Sequence, residues 1–252
     1  MERRLILIRH GQTEYNATGR MQGQLDTPLS AVGISQAREV AVAAVEWNVS
    51  HVVASDLERA QDTAKVLADA WGLKVHTDAR FRETDLGRWQ GGSHQEIDRD
   101  YPGQRAYWRH DPHWSPPEGE TRLEVAERAF AGVQDLMASD SFSGTVVVVA
   151  HGGTIAALTS RLLDIPAQHY PMFTRLGNTC WAELVARPAS PFGDEVLDVP
   201  RTDPAVDGST VPVIPAVPTD WWRAPQWFLE GWNVGVSSMS QSAPNPDEGQ
   251  VK

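Results

Sequence analysis

Cysteine is nearly missing from this chain of 252 residues: there is one, Cys180. An internal disulfide framework is therefore excluded, and the usage fits a reducing compartment, so a cytoplasmic location is expected. Long apolar runs are missing too. None approaches the length of a membrane span, and the opening apolar stretch is too short for a signal peptide and leads straight into polar residues. No Cys/His spacing suggests zinc. Positive charge is scarce, with 22 Lys and Arg against 33 Asp and Glu and a net charge of −11. That balance argues against nucleic-acid or membrane-surface binding. It does not exclude an anionic small molecule held by a few focused cations. From Pro188 onward there are nine acids and three bases, so more than half of the excess lies in the last quarter of the chain.

What is present begins with Arg4-Leu5-Ile6-Leu7-Ile8-Arg9-His10-Gly11. A short unbroken apolar run reads as a strand buried on both faces. Arg9 and His10 then stand at its carboxyl end, where open α/β sheets bind ligands. The same figure returns in Thr145-Val146-Val147-Val148-Val149-Ala150-His151-Gly152-Gly153. Two buried strands that stop at His-Gly place two imidazoles on one crevice.

Between them, strands and helices alternate. Residues 12–29 read as a long loop. Ser30 caps a helix whose face carries Ile34, Ala37, Ala41 and Ala44. His51 to Ala54 form a short strand. Ser55 and Glu58 have the spacing of a capping box, followed by a helix with Leu57, Ala60, Ala64, Leu67 and Trp71 inside and Gly72 at its end. Lys74 to Thr77 suit another strand. Residues 81–119 are irregular, with a short helix near 93–100. Thr121 and Glu124 cap a further helix, one more runs from about Gly153 to Leu163, and Asn178 to Val185 read as a strand containing Cys180. The alternation predicts a three-layer α/β/α sandwich with a mostly parallel central sheet.

Residues 1–187 form the expected core domain. Residues 188–220 are proline-rich and acidic, without sustained period, and read as a flexible insertion. The aromatic stretch 221–237 is expected to dock on the core as a last strand, and 238–252 to be disordered.

A neutral imidazole is a good nucleophile toward phosphorus. Such a reaction needs a histidine held in one tautomer, cations around the phosphoryl oxygens, and an acid for the leaving oxygen. His10, Arg9, Arg59, His151 and Glu83 supply those types, and Gly152-Gly153 open a helix whose N-terminus favours an anion.

Arg9-His10-Gly11-Gln12-Thr13-Glu14-Tyr15-Asn16 resembles the signature of the histidine phosphatase (phosphoglycerate mutase-like) superfamily. Ser55-Asp56-Leu57-Glu58-Arg59-Ala60 with Thr63-Ala64, Arg82-Glu83 to Gly91, Pro117-Glu118-Gly119-Glu120-Thr121 and His151-Gly152-Gly153 resemble its later blocks, in family order. The resemblance implies the phosphoglycerate mutase-like fold and a phosphatase that needs no metal or other cofactor. It implies that His10 forms phosphohistidine and that Arg9, Arg59 and His151 hold the phosphoryl charge. Asn16 and the amide of Gly152 would add donors, Gln22 and Gly23 would line the mouth, and Glu83 would protonate the leaving alcohol and then activate water. Within the family, Met21 to Thr27, Arg82 to Gly91 and the Trp-rich end are most similar to phosphatases acting on glucosyl-3-phosphoglycerate, which implies a small phosphorylated sugar or glycerate substrate and a homodimer.

Three other readings remain open. A phosphoglycerate mutase would use the same site, although only residues 92–144 separate the acid loop from the second histidine and mutases generally carry more. A broad-specificity phosphatase and a catalytically idle interaction protein are the others. His51, His76, His94, His110, His113 and His169 read as surface or structural. Trp89, Trp108 and Trp114 could cover either substrate or core.

Overall fold

The computed structural model describes residues 3–138, 144–189 and 218–236. The chain opens with β1 (Arg3–Arg9) and the single-turn helix α1 (Glu14–Ala17), then α2 (Ala31–Ala43), β2 (Val49–Ala54), α3 (Glu58–Trp71) and β3 (Val75–Thr77). The irregular middle holds α4 (His94–Asp100) and α5 (Gln104–His110), followed by α6 (Arg122–Ala138). Then come β4 (Thr145–Ala150), α7 (Gly152–Leu162), β5 (Trp181–Pro188) and β6 (Pro225–Val234). The strands form one sheet in the order β3-β2-β4-β1-β5-β6. The pairs β2·β3, β2·β4 and β1·β4 are parallel. The pairs β1·β5 and β5·β6 are antiparallel.

Both faces of the sheet are covered, which is why its central strands are apolar without alternation. Leu5 and Leu7 of β1, with Val146 and Val148 of β4, pack with Phe81, Val133, Ile155 and Leu158. The alternate residues Ile6, Ile8, Val147 and Val149 pack on the other side with Val40, Ala60, Ala64 and Leu67. So α6 and α7 form one outer layer and α2 and α3 the other, a three-layer α/β/α sandwich with a mostly parallel sheet. The Trp-rich segment supplies β6, paired along β5, and Trp227 joins the first of these cores. Apart from its ends, the 188–220 stretch lies outside the described residues, as does 238–252.

Several local expectations are corrected. Ser55 and Glu58 form no capping box. Ser55 still bonds through its amide to Val149 of the sheet, and α3 starts later, with Leu57 as N-cap. The free Glu58 amide is instead taken by Asp26 Oδ1 at 2.7 Å. The inner face of α2 is centred on Gly33, Ala37, Val40 and Ala41, leaving Ile34 exposed. The cause is close backbone contact: a Cβ on Gly33 would fall 2.2 Å from the Gln12 carbonyl oxygen. The 12–29 loop contains α1, whose Thr13 and Asn16 make a reciprocal capping box. β5 begins at Trp181 rather than Asn178, so Cys180 lies in the preceding turn, half-buried with a free thiol. Trp89 is fully buried against Tyr101, Trp108 and Trp114, which makes this group core for α4 and α5.

Candidate active site

Two sheet neighbours create the site. β1 and β4 run parallel with Arg9 opposite Ala150, so His10 and His151 emerge side by side. Their ring centroids are 5.1 Å apart. His10 is pinned on its backbone by the Ala150 carbonyl to its amide and by Asn178 Nδ2 donating to its carbonyl, both at 3.0 Å. Its Nδ1–H donates to the Gly11 carbonyl at 2.7 Å. That bond fixes the tautomer and leaves the Nε2 lone pair facing outward, where Arg59 Nε donates to it at 3.3 Å.

Arg59 lies on the first turn of α3 and is 1% exposed. Its other nitrogens donate to the carbonyls of Leu25 and Gly23 at 2.9 and 2.8 Å. The guanidinium therefore braces the loop after α1 while facing His10. Arg9 is 6% exposed and donates through Nη1 to the Leu176 carbonyl at 2.7 Å. Among the described residues its Nε has no hydrogen-bond partner, and neither do the two ring nitrogens of His151. Gly152 lies directly beneath Arg9, since a Cβ there would be 3.6 Å from Arg9 Nε.

Charge in this crevice is unbalanced. Among the described residues neither Arg9 nor Arg59 makes an ion pair of hydrogen-bonded length. Burial lowers the Arg9 pKa to about 10, helped by Arg175, with Glu83 pulling the other way. Burial lowers Arg59 to about 10 as well, against the pull of Glu83 and Asp26. Both stay cationic at neutral pH. His10 is held well below its ordinary value by burial and then by Arg9 and Arg59. His151 is lowered by burial, Arg59, His10 and Arg9. The result is two buried cations around two neutral imidazoles. A buried polar atom left unpaired costs about 1–3 kcal/mol, more when charged, so an anion with several oxygens relieves this arrangement directly.

Glu83 lies on the opposite wall, at the N-terminus of α7. Its Oε2 accepts from the Gly153 amide at 3.1 Å and its Oε1 from the Thr84 and Thr154 amides at 2.8 and 3.2 Å. The amides expected to meet an anion are thus partly engaged by this carboxyl group. Asn16 Oδ1 accepts from Thr13 N and Asn178 Nδ2, so its amide end knits two loops together. Gln22 is buried, accepts from the Thr13 hydroxyl at 3.1 Å and donates to Thr27 Oγ1. It shapes the loop from inside. Gly23 adopts a left-handed φ of 57° and presses against Gln90, where a Cβ would clash at 2.5 Å.

Two further residues build the site without a part assigned from sequence: Asn178, which has no signal of its own, and Thr63, which lies in one of the family-like blocks. Asn178 ties His10 to Asn16. Thr63 accepts from the Gly11 amide at 3.0 Å and donates to the Arg59 carbonyl at 2.7 Å, joining the two halves. Of the six remaining histidines, His51 is half-buried, and His76, His94, His110, His113 and His169 are exposed. Among the described residues no group of three or more His, Cys, Asp or Glu is disposed to hold a metal. A separate cavity of about 540 Å³ between α6, α7 and Trp222–Trp227 touches none of the site residues.

Comparison with known proteins agrees with this geometry. The model of the histidine phosphatase superfamily (branch 1) matches residues 5–195. A glucosyl-3-phosphoglycerate phosphatase of Mycolicibacterium vanbaalenii is 48% identical over 192 residues, covering 72% of this chain and 84% of that protein. A solved structure of mycobacterial glucosyl-3-phosphoglycerate phosphatase with VO3 superposes with a TM-score of 0.75 at 39% identity, covering 92% of this chain and all of that one. A probable phosphoglycerate mutase, GpmB, of Yersinia pestis is 35% identical over 214 residues, covering 79% of this chain and 97% of that protein.

Proposed function

The chain belongs to the histidine phosphatase superfamily, and from that premise we propose that it hydrolyses a phosphate monoester through phosphohistidine, without a metal, with glucosyl-3-phosphoglycerate or a similar phosphorylated sugar or glycerate as substrate. One observation carries the chemistry. A buried, neutral His10, with Nδ1 tied to a carbonyl, shares a pocket with the unpaired Arg9 Nε and His151 ring nitrogens, and its Nε2 lone pair faces Arg59 Nε at 3.3 Å.

The steps follow from the positions. As substrate enters, the Arg59 Nε–H leaves the His10 lone pair for the phosphoryl oxygens, which also take the Arg9 Nε–H and a ring N–H of His151. Nε2 of His10 attacks phosphorus and the P–O bond to the alcohol breaks. The leaving oxygen takes a proton from Glu83. His10 then carries the phosphoryl group, with its ring charge shared through the Gly11 carbonyl. Glu83, now a carboxylate, removes a proton from water as the water oxygen attacks phosphorus. The P–N bond breaks, and His10 and Glu83 return to their starting states. The donors surround the position where charge develops in the transition state, the arrangement that contributes most in enzymes of this kind. In this scheme Asn16, Gln22 and Gly23 shape the mouth, and the Gly152 amide adds a donor beneath Arg9.

The substrate rests on the names of the similar proteins and on the segments they share with this chain. A cytoplasmic homodimer is part of the same reading, supported by the single free cysteine and the resemblance. Phosphatase rather than mutase is favoured by the modest interval between Glu83 and His151.

Phosphate release should be fastest from glucosyl-3-phosphoglycerate when compared with 3-phosphoglycerate, fructose bisphosphates and p-nitrophenyl phosphate. His10→Ala should lower it by at least ~10³-fold, the scale set by losing a covalent nucleophile. Acid-quenched protein should carry labelled phosphate on His10, and activity that survives the substitution would sink the mechanism. Return of phosphate to glycerate after priming with a bisphosphoglycerate would make the protein a mutase instead. Light scattering gives the oligomer.

A further inference from the structure

The acid loop is held by a device that the mechanism has not used. Arg128 projects from the second turn of α6 and reaches under the loop that carries Glu83. Its Nη1 donates to the carbonyls of Arg80 and Arg82 at 2.7 and 2.8 Å. Its Nη2 donates to the carbonyl of Glu83 itself at 3.0 Å. The remaining edge of the guanidinium grips Glu120, with Nε to Oε1 and Nη2 to Oε2 both at 2.9 Å.

Glu120 completes the clamp from the other side. Its Oε2 accepts from the Asp85 amide at 2.8 Å, and its own amide donates to the Asp85 carbonyl at 2.8 Å. Residues 80 to 85 are thus held by the Arg128 donors on one flank and by Glu120, as both acceptor and donor, on the other. Both partners are mostly buried, with 20% and 25% side-chain exposure. A planar fork is needed for this set of bonds, and lysine cannot reproduce it. The loop has other attachments: Gln24 Nε2 donates to the Glu83 carbonyl and Thr154 Oγ1 to the Arg82 carbonyl, and the Arg80 and Arg82 side chains pair with Asp135 and Asp56, but of these only the Gln24 bond reaches the Glu83 backbone.

We propose that Arg128, locked by Glu120, is a positioning residue for the proton donor: it fixes the backbone of Glu83 so that the carboxyl group meets the leaving oxygen. The proposal rests on the assignment of Glu83 as the acid. Its signature is selective. An alkyl leaving group needs protonation as the P–O bond breaks, whereas p-nitrophenolate leaves unassisted. A displaced Glu83 should therefore damage the first reaction and spare the second. Because kcat/KM reports events up to transfer of phosphoryl to His10, it isolates this step from the later attack by water.

The experiment compares kcat/KM for glucosyl-3-phosphoglycerate and p-nitrophenyl phosphate in the wild type, Arg128→Ala, Arg128→Lys, Glu120→Gln, Glu83→Gln and the Arg128→Ala/Glu83→Gln double variant. Arg128→Ala is expected to lower the alkyl reaction by roughly 100-fold, the scale of a misplacement near 1 Å, with a far smaller loss on the aryl ester. Arg128→Lys should behave as the alanine variant, and Glu120→Gln should show the same selectivity more weakly. In the double variant the loss should equal that of Glu83→Gln alone, because both changes act through one group. Equal losses on both substrates, additive losses in the double variant, full activity in Arg128→Lys, or failure of both Arg128→Ala and Glu120→Gln to fold would each overturn the proposal. If Glu83→Gln itself shows no leaving-group dependence, the acid assignment fails, which is distinct from a selective Glu83→Gln beside an unselective Arg128→Ala.

Discussion

His10 and His151 are fully buried next to guanidinium groups, and this has a consequence for stability that can be signed. Their ordinary pKa is about 6.5 in an unfolded chain, and in the folded protein both are held well below it, first by burial. Above pH 6.5 both are neutral in either state, so folding is not penalised. As pH falls below 6.5 the unfolded chain takes up protons that the folded one refuses, and stability drops by up to about 1.4 kcal/mol per pH unit for each histidine. Thermal midpoints taken from pH 7.5 to 5.5 should therefore fall in the wild type and fall less steeply in the His10→Asn/His151→Asn variant. Equal slopes would mean that neither imidazole is kept neutral by the fold. The same depression suits the proposed chemistry, because a neutral His10 would retain its lone pair for attack in weakly acidic solution.

At the scale of elements, the parts that could be read from sequence are those whose cause is local. The apolar runs of β1 and β4 announce burial on both faces, and Thr121 with Glu124 forms the cap their spacing implies, through a 3.1 Å bond from the Glu124 amide to the Thr121 hydroxyl. What was hidden depends on distant partners. The start of α3 is capped by Asp26, 32 residues away, so no pattern around Ser55 could reveal it. Arg128 and Asn178 look like ordinary polar residues until the fold brings the acid loop and His10 to them. Asp26→Ala should cost about 1 kcal/mol, as lost N-caps do. It should also raise KM, because the loop it anchors supplies the Leu25 and Gly23 carbonyls that orient Arg59. A lower melting temperature with unchanged KM would separate the cap from the site. The start of α7 offers a sharper contrast between adjacent glycines. A Cβ on Gly153 would fall 2.5 Å from Glu83 Oε1, whereas on Gly152 it would meet only Arg9 at 3.6 Å. Gly153→Ala should lower kcat by about 100-fold by displacing the acid, with Gly152→Ala nearer wild type. The reverse order in steady-state kinetics would remove Glu83 from its assigned place.

On the scale of the whole molecule, the site depends on the middle of the sheet and hardly on its far edge. The order β3-β2-β4-β1-β5-β6 puts the two histidine strands side by side at the centre. β5 and β6 come last, antiparallel, with Pro188 opposite Pro225. The chain between those prolines therefore leaves and re-enters the sheet at neighbouring points, and no strand register depends on its length. Loop closure varies only slowly with length, about 0.6 kcal/mol for each doubling. Replacing residues 191–217 by a short Gly/Ser linker should consequently preserve the melting temperature to within a few degrees, or raise it slightly. The kcat and KM for glucosyl-3-phosphoglycerate should also be retained, because His10, Arg9, Arg59, Glu83 and His151 all lie between residues 9 and 151. The β6 strand must stay in place for this to hold, since Trp227 is buried in the core beside Leu184 and Ala186. Trp227→Ala serves as the opposite control and should cost roughly 3–5 kcal/mol. If the shortened protein melts normally but its KM rises sharply while p-nitrophenyl phosphate is still cleaved, the segment contributes to recognition of the sugar, and specificity extends beyond the sheet edge that carries the chemistry.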